Sequence, residues 1–572
     1  MDEPKKPASR VDGKKLMRLY EKLVSDRAPW VQLWEEIAQY IVPRRYPGMN
    51  GSILTPSTQV ESRLFDSTAI HAHQTNAAGC LAWMTPADSP WFAYKLPPPV
   101  KDDTARRWLA DASQAARESL ARGNFYSAIH ECYLDRSGPG TCALYCEQDE
   151  EDGIFFQNWS CGTFVIAEDH KGRVNTVVRE FTLTASQAYE KWGDACSPEI
   201  CKAAKAGDDK GEQRFDFLHF VMPRSKAHRE DATAGLQARM PFACYYVDKK
   251  KQTVIKESGY PRFPVMVSRY LEWGTGTGGV YGWSPAFSAL PEARQVNFLQ
   301  KFMDALAEKA AFPPWMVPED FEGEIDPNAA GVNYFARGLQ AHEMPREMPQ
   351  QGRYDIGKDR VMERQKAINQ AFHVDLFQMF ASMEKTGQMT AREVAERTAE
   401  KLVQFSPTFS RMTSELLSPL ARWVFTELLG QGAFGRPESI PLALLSPDRT
   451  GLMEPAVKYS SRLAMSLEQL PTIGAFRTLD LCQLIAAGSG NPSVYDNFNW
   501  DEVVRNAALQ NGMEAHALKS IQERDELREA RAQAQQQAEQ MQMAAAAADA
   551  AGKVGNIKQD SLLGSAIQSA AA

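Results

Sequence analysis

The chain offers one stretch that could cradle a phosphate: Gly274-Thr275-Gly276-Thr277-Gly278-Gly279, a G-x-G-x-x-G match. A dinucleotide site needs a strand before such a loop, a helix starting on it and an acidic residue about 20 positions on. Here Val280-Tyr281-Gly282-Trp283-Ser284-Pro285 follows, so the next helix starts too late and the stretch reads as a flexible loop. The chain contains no G-x-x-x-x-G-K-[ST], no H-E-x-x-H and no G-x-S-x-G. Cys142 and Cys146, with Cys132 and Cys161 nearby, could suggest zinc. They lack paired C-x-x-C knuckles and read as buried thiols, as do Cys196 and Cys201. His71 and His73 are two apart and would lie on different faces of a helix. Glu150-Glu151, Asp208-Asp209 and Lys249-Lys250-Lys251 read as solvated turns, the lysines having a nucleic-acid patch as the alternative. No catalytic residues, metal or cofactor are expected, and the chain is not expected to be an enzyme.

The elements that carry these residues are ordinary globular ones. The chain has 572 residues, 44% hydrophobic and 24% charged, which excludes wholesale disorder. Its 64 Lys and Arg against 72 Asp and Glu give a net charge of −8. Tight sequence-independent DNA binding comes from cations that release counterions, so this balance disfavours it. Met1 to Arg10 lacks the apolar core of a signal peptide. No uncharged apolar run approaches the roughly 18 residues of a membrane span. Nine irregularly spaced cysteines fit free thiols in a reducing compartment.

Apolar residues at helical spacing predict a helix over 13–42, kinked or divided at Pro29, with further helices over about 66–84 and 103–122. From about 140 to 260 the pattern changes to strands. Hairpins are expected around Asp169-His170-Lys171-Gly172 and around Asp248-Lys249-Lys250-Lys251. Pro285 is well placed to open a helix running to about Ala311, with Leu290, Ala293, Val296, Leu299, Met303, Leu306 and Ala310 on one stripe. A Pro/Gly-rich insert, Phe312 to about Arg353, separates it from a second helix over about Asp355 to Met383. That helix carries Val361, Ile368, Phe372, Leu376, Met379 and Met383 on its stripe. Such a pair can form a stalk with the insert at its tip, and each member has a polar face too wide for one monomeric core. An antiparallel hairpin inside a monomer is the plainer reading. Thr390-Ala391-Arg392-Glu393 is a capping box, and Pro407 and Pro419 predict kinks in the long helix it opens. Residues 528–549 favour helix, and 552–572 are expected to be mobile.

Several segments then stand in a recognisable order: Trp30-x-x-x-Trp34 leading to Tyr40 and Pro43; Phe65-Asp66-Ser67-Thr68-Ala69; Met84-Thr85-Pro86; Pro90-Trp91-Phe92; and Phe263-Pro264-Val265 leading to Arg269-Tyr270. Val280-Tyr281-Gly282-Trp283-Ser284-Pro285-Ala286, Ala289-Leu290-Pro291 and Met389-Thr390-Ala391-Arg392-Glu393-Val394 complete the series. Between about 30 and 425 the chain resembles the portal proteins, or head-to-tail connectors, of short-tailed double-stranded-DNA bacteriophages.

The resemblance implies a mainly α fold with a β-rich wing, assembled as a ring, usually of twelve subunits. The wing would occupy 1–283, the first stem helix 284–311, the clip 312–353 and the second stem helix 354–381. A tunnel loop at 382–390, a kinked helix and wing return at 391–459, a crown at 460–549 and a mobile tail at 550–572 complete it. The loop residues Met383, Glu384, Lys385, Thr386, Gly387, Gln388 and Met389 would line the channel. Trp315, Phe321, Tyr334 and Phe335 would anchor subunit or partner contacts in the clip, a small local core being the alternative. Implied partners are other copies of the chain, double-stranded DNA, the packaging ATPase (terminase), tail adaptor proteins, and the major capsid and scaffolding proteins, with no membrane. The implied place is the head–tail junction of the virion, after assembly in the host cytoplasm. The rival readings are a cytosolic enzyme with a nucleotide cofactor on the 274–279 loop and another oligomeric virion scaffold.

Overall fold

The computed structural model describes residues 11–45, 64–97, 102–149, 153–206, 208–225, 236–272, 279–317, 354–383, 405–435, 452–460 and 521–555, with shorter pieces between them. Helix α1, Gly13–Tyr40, opens on Asp12, whose carboxylate accepts from Lys14 N–H. Pro29 lies inside α1 without ending it. The helix is carried through because its two halves pack on different clusters: Leu16, Tyr20 and Leu23 in one, Trp34 and Ile37 in another. Helix α2, Thr68–Met84, is rich in small residues; a Cβ on Gly79 would lie 2.3 Å from the Phe377 ring. Strand β1 (Phe92–Lys95), helix α3 (Asp103–Arg122, capped by Asp102) and helix α4 (Phe125–Ser137) follow.

The strand-rich part has two antiparallel sheets. Strand β2 (Thr141–Asp149) is the centre of one, between β3 (Gly153–Trp159) and a later strand, Val265–Arg269. Strands β4 (Phe164–Glu168) and β5 (Val174–Thr184) begin the other and form the hairpin expected at Asp169–Gly172. The Asp169 carboxylate accepts from the N–H groups of Lys171 and Arg173, and Gly172 takes φ +73. Helices α5 (Ala185–Trp192) and α6 (Pro198–Ala206) precede β6 (Arg214–Pro223), β7 (Phe242–Asp248) and β8 (Thr253–Tyr260). The sheet order is β4-β5-β6-β7-β8. Alternation along β7 explains how both faces are buried: Ala243, Tyr245 and Val247 meet α1, while Cys244 and Tyr246 meet α5 and α6. The Val265–Arg269 strand is β9.

Helix α7, Pro285–Ala311, has the bounds its apolar stripe predicts and is about 40 Å long. The short strands β10 (Trp315–Met316) and β11 (Arg346–Glu347) pair beyond it. The helix expected over 355–383 is two helices, α8 (Tyr354–Ala371) and α9 (Val374–Met383). His373 stands between them in the left-handed region at φ +56, which an α-helix cannot include. The break is held from outside: Asn76 Nδ2 donates to the Phe372 carbonyl at 2.7 Å. Residues 405–412 are helical, a π-turn follows at Thr413–Leu417, and α10 covers Ser418–Gly430 with Pro419 in its first turn. Strand β12, Ala456–Tyr459, returns to pair with β1, so the late chain closes the early one. Around that closure Trp91, Phe92, Leu109, Leu120, Phe125, Leu420 and Phe425 form a core, and Tyr94 donates to the Ala421 carbonyl at 2.7 Å. Helix α11, Ile521–Gly555, is solvent-exposed over 525–546.

Candidate functional site

Helices α7 and α8 form an antiparallel hairpin standing on the rest of the fold. Val296 and Met303 face Val361 and Ile368 across it, all buried. Gly357 has no side chain because Met303 occupies that space: a Cβ there would lie 2.2 Å from the Met303 sulfur. Arg364 Nη1 bridges to Glu292 Oε2 at 2.5 Å. At the base, Gln365 Nε2 donates to Asp66 Oδ2 at 2.8 Å, Arg294 pairs with Glu36 of α1, and Asn297 Oδ1 accepts from Phe65 N–H at 2.6 Å. These contacts fix the hairpin to α1 and to the segment before α2. Beyond them its outer half projects, with Phe298 58%, Phe302 57% and Phe312 80% exposed. A monomer that leaves three phenylalanines on one rod exposes apolar surface of the kind that marks an interface.

At the tip Trp315 pairs with Glu347 and is 38% exposed, and Tyr334 is 90% exposed. Phe321 and Phe335 lie outside the described residues.

Of the expected loop, Glu384, Lys385, Thr386, Gly387, Gln388 and Met389 lie outside the described residues, as does the capping box after them, and Met383 is the last residue of α9. The structure shows how the two ends of that stretch are held. Phe405, buried, meets His373 edge-on at 5.5 Å between ring centres and Phe377 at 6.0 Å. Arg136, 2% exposed, donates to the Thr408 carbonyl at 2.9 Å and covers the Tyr270 ring at 4.8 Å. Arg269 of β9 gathers three carboxylates. It pairs with Glu168, reaches Glu415 at 2.9 Å and approaches Glu272 at 3.3 Å. Its own N–H donates to the second Glu415 oxygen at 2.8 Å. Arg411 bridges Glu272 at 2.5 Å and Glu415 at 3.0 Å. Burial raises the Glu168 carboxyl above its ordinary value, with Arg269 pulling the other way. Glu415 sits in the π-turn, so this cluster fixes an irregular turn of helix to the sheet edge. Sequence reasoning missed it: Glu415 is 146 positions from Arg269, and no local pattern announces the pairing.

The remaining candidates resolve simply. Lys249 pairs with Glu180, and Lys250 and Lys251 reach Glu199 at 2.8 and 3.3 Å, so the lysine turn meets its own chain's acids. Eight of the nine cysteines are buried and none is in a disulfide. His73 is buried with Nε2 2.9 Å from the Leu134 carbonyl, and His71 takes no part. Among the described residues no group of three or more His, Cys, Asp or Glu side chains could hold a metal. Most of the glycine loop lies outside the described residues. The helix after it begins at Pro285, beyond the Leu271–Trp283 bridge, too late to present its N-terminus to a phosphate on those glycines. Among the described residues no helix is long and apolar enough to cross a membrane.

Comparison with known proteins gives a consistent result. Residues 13–518 match a family described as bacteriophage head to tail connecting protein. A probable portal protein of Bordetella phage BPP-1 is 27% identical over 577 aligned residues, covering 97% of this chain and 98% of that one. The portal protein of Salmonella phage epsilon15 is 22% identical, covering 92% of each. Among solved structures, a chain from the neck of an empty gene transfer agent particle covers 78% of this chain at 12% identity, with a TM-score of 0.37.

Proposed function

Because this chain belongs to the family of bacteriophage head-to-tail connecting proteins, we propose that its copies close into a ring at one vertex of the phage head, with double-stranded DNA passing through the opening. Its role is that of a head–tail connector; the ring, probable portal relatives aside, is supported by this chain's own surface. The observation that carries the reading is the projecting half of the α7–α8 hairpin. It places Phe298, Phe302 and Phe312 in solvent among the described residues, on a rod about 40 Å long, where other copies of the chain can cover them.

The charge fits passage. A basic bore would hold a duplex through released counterions, whereas −8 per copy, repeated around a ring, gives little grip. A ring of twelve is the reading carried from the family resemblance. The chain has no P-loop, so the energy for packaging comes from a separate ATPase, which docks with tail proteins at the hairpin tip through Trp315 and Tyr334. Capsid and scaffolding proteins surround the strand-rich wing during assembly in the host.

The segment 383–389 lines the narrowest part of the channel in this reading. It holds one acid and one base, Glu384 and Lys385, and Gly387 supplies backbone freedom. Deleting 384–388 tests it in a capsid-packaging assay. The expected result is reduced packaging or leakage of packaged DNA. Normal packaging with normal retention overturns the assignment of this segment.

A further inference from the structure

The two helices of the hairpin present unlike faces on opposite sides, and the difference has a pattern. On α7 the buried direction holds Ala289, Val296 and Met303. The opposite face, counted at 3.6 residues per turn, holds Arg294, Phe298, Lys301, Phe302, Ala305 and Lys309, with Phe312 just past the end. All seven are exposed. Arg294 is already paired with Glu36 and Glu308 borders the face, so its unpaired basic charge comes from Lys301 and Lys309 around the phenylalanines.

On α8 the buried direction holds Val361 and Ile368. Its opposite face holds Asp355, Asp359 and Glu363 at successive i, i+4 positions, with Lys366 among them and Ile356 and Met362 at the borders; all six are exposed, and the face is net acidic. Each helix turns its buried stripe toward the other, so the basic and acidic faces point away from each other across the hairpin.

They also lie at matching heights. Gly357 is level with Met303, and Arg364 with Glu292. On that register Lys301 and Phe302 stand level with the turn from Asp355 to Asp359, and Arg294 and Phe298 with the turn around Glu363. Rotation about an axis along the hairpin carries one face onto the other without a shift along that axis.

We propose that the basic–aromatic face of α7 on one copy docks on the acidic face of α8 on the next. The contact is between different patches on identical chains, so each copy keeps one of each face free after pairing. That geometry continues to the next copy and closes into a ring when the rotation divides a full turn; it cannot stop at a two-fold dimer. Phe298 and Phe302, whose rings pack at 4.5 Å, supply the apolar centre beside Met362 and Ile356, and the charges set register and partner choice. The inference rests on the ring reading and names the surfaces that make it.

Charge reversal tests it on the full chain, with size read by native mass spectrometry and electron microscopy. One variant carries Lys301→Glu with Lys309→Glu; the other carries Asp359→Lys with Glu363→Lys. Each alone places like charges across every contact, and assembly should need at least about tenfold more protein. Mixing the two in equal amounts restores complementary contacts in alternating copies, and rings return. All four substitutions in one chain restore rings without mixing. That recovery also shows that the variants fold. Rings undiminished in either single-face variant, or loss with no recovery on mixing, overturn the pairing and leave the ring intact. A wild-type chain that stays monomeric at every concentration removes the ring and the pairing together. Salt-dependent duplex binding that Lys301→Glu with Lys309→Glu abolishes, with ring size unchanged, reassigns the basic face to DNA.

Discussion

Arg269 offers the sharpest test of how the fold holds the helix that follows the 384–404 segment. Its side chain is 3% exposed, and it meets Glu415 at 2.9 Å, Glu272 at 3.3 Å and the Gly172 carbonyl at 3.0 Å, with Glu168 also in contact. Three carboxylates share two guanidiniums, those of Arg269 and Arg411. Replacing Arg269 by Leu leaves one. Breaking a buried ion pair by removing one partner costs about 3–5 kcal/mol, because the remaining charge is stranded without water. The cost should appear as a downshift of the urea midpoint of the full chain at pH 7.5. Two further readouts separate this cause from a plain packing defect. Stranded carboxylates take up protons more readily, so the gap between variant and wild type should narrow as the pH falls from 7.5 to 5. Adding Glu415→Leu should recover at least about 1 kcal/mol, since it removes one uncompensated charge. A loss below about 1 kcal/mol, a gap that widens on acidification, or a double variant that costs the full sum would refute the reasoning.

Three other outcomes follow from the same packing. Gly79→Ala should cost about 1–3 kcal/mol by forcing a methyl into the Phe377 ring, while Gly430→Ala, with nothing within 4 Å, should cost nothing; equal effects in thermal unfolding would contradict the contact. Burial holds His219 well below 6.5 and His73 below 6.5, so the unfolded chain binds the extra protons and stability falls as the pH drops through 6.5. His219→Phe should flatten the slope of urea midpoint against pH below 6.5; an unchanged slope rules His219 out. Lys250→Ala with Lys251→Ala should leave duplex binding and its salt dependence unchanged, since both lysines meet Glu199; a shallower salt slope would restore the nucleic-acid patch.

What was legible in the sequence was local. The stripe from Leu290 to Ala310 gave both ends of α7, and Asp169–Gly172 gave a hairpin because an Asx turn and a left-handed glycine are encoded within four residues. What was not legible was set by distant partners. His373 breaks a continuous apolar stripe because Asn76, 297 positions earlier, takes the Phe372 carbonyl one residue before it. Of the two outcomes Pro29 allowed, a kink or a division, α1 is not divided, and its two halves pack on different clusters. The β1–β12 pair and the Arg269 cluster join segments over a hundred residues apart, and four-residue strands carry too little periodicity to announce themselves. At the site, the hairpin could be read from pattern, whereas the opposed charge of its two outer faces needed the register that Gly357 and Met303 fix.

The central claim is that copies of this chain surround an opening. Electron micrographs of the purified full-length protein over a range of concentrations test it most directly. The account predicts closed rings of one size with a hole wide enough for a duplex. Single molecules at every concentration, or open filaments without closure, would contradict it.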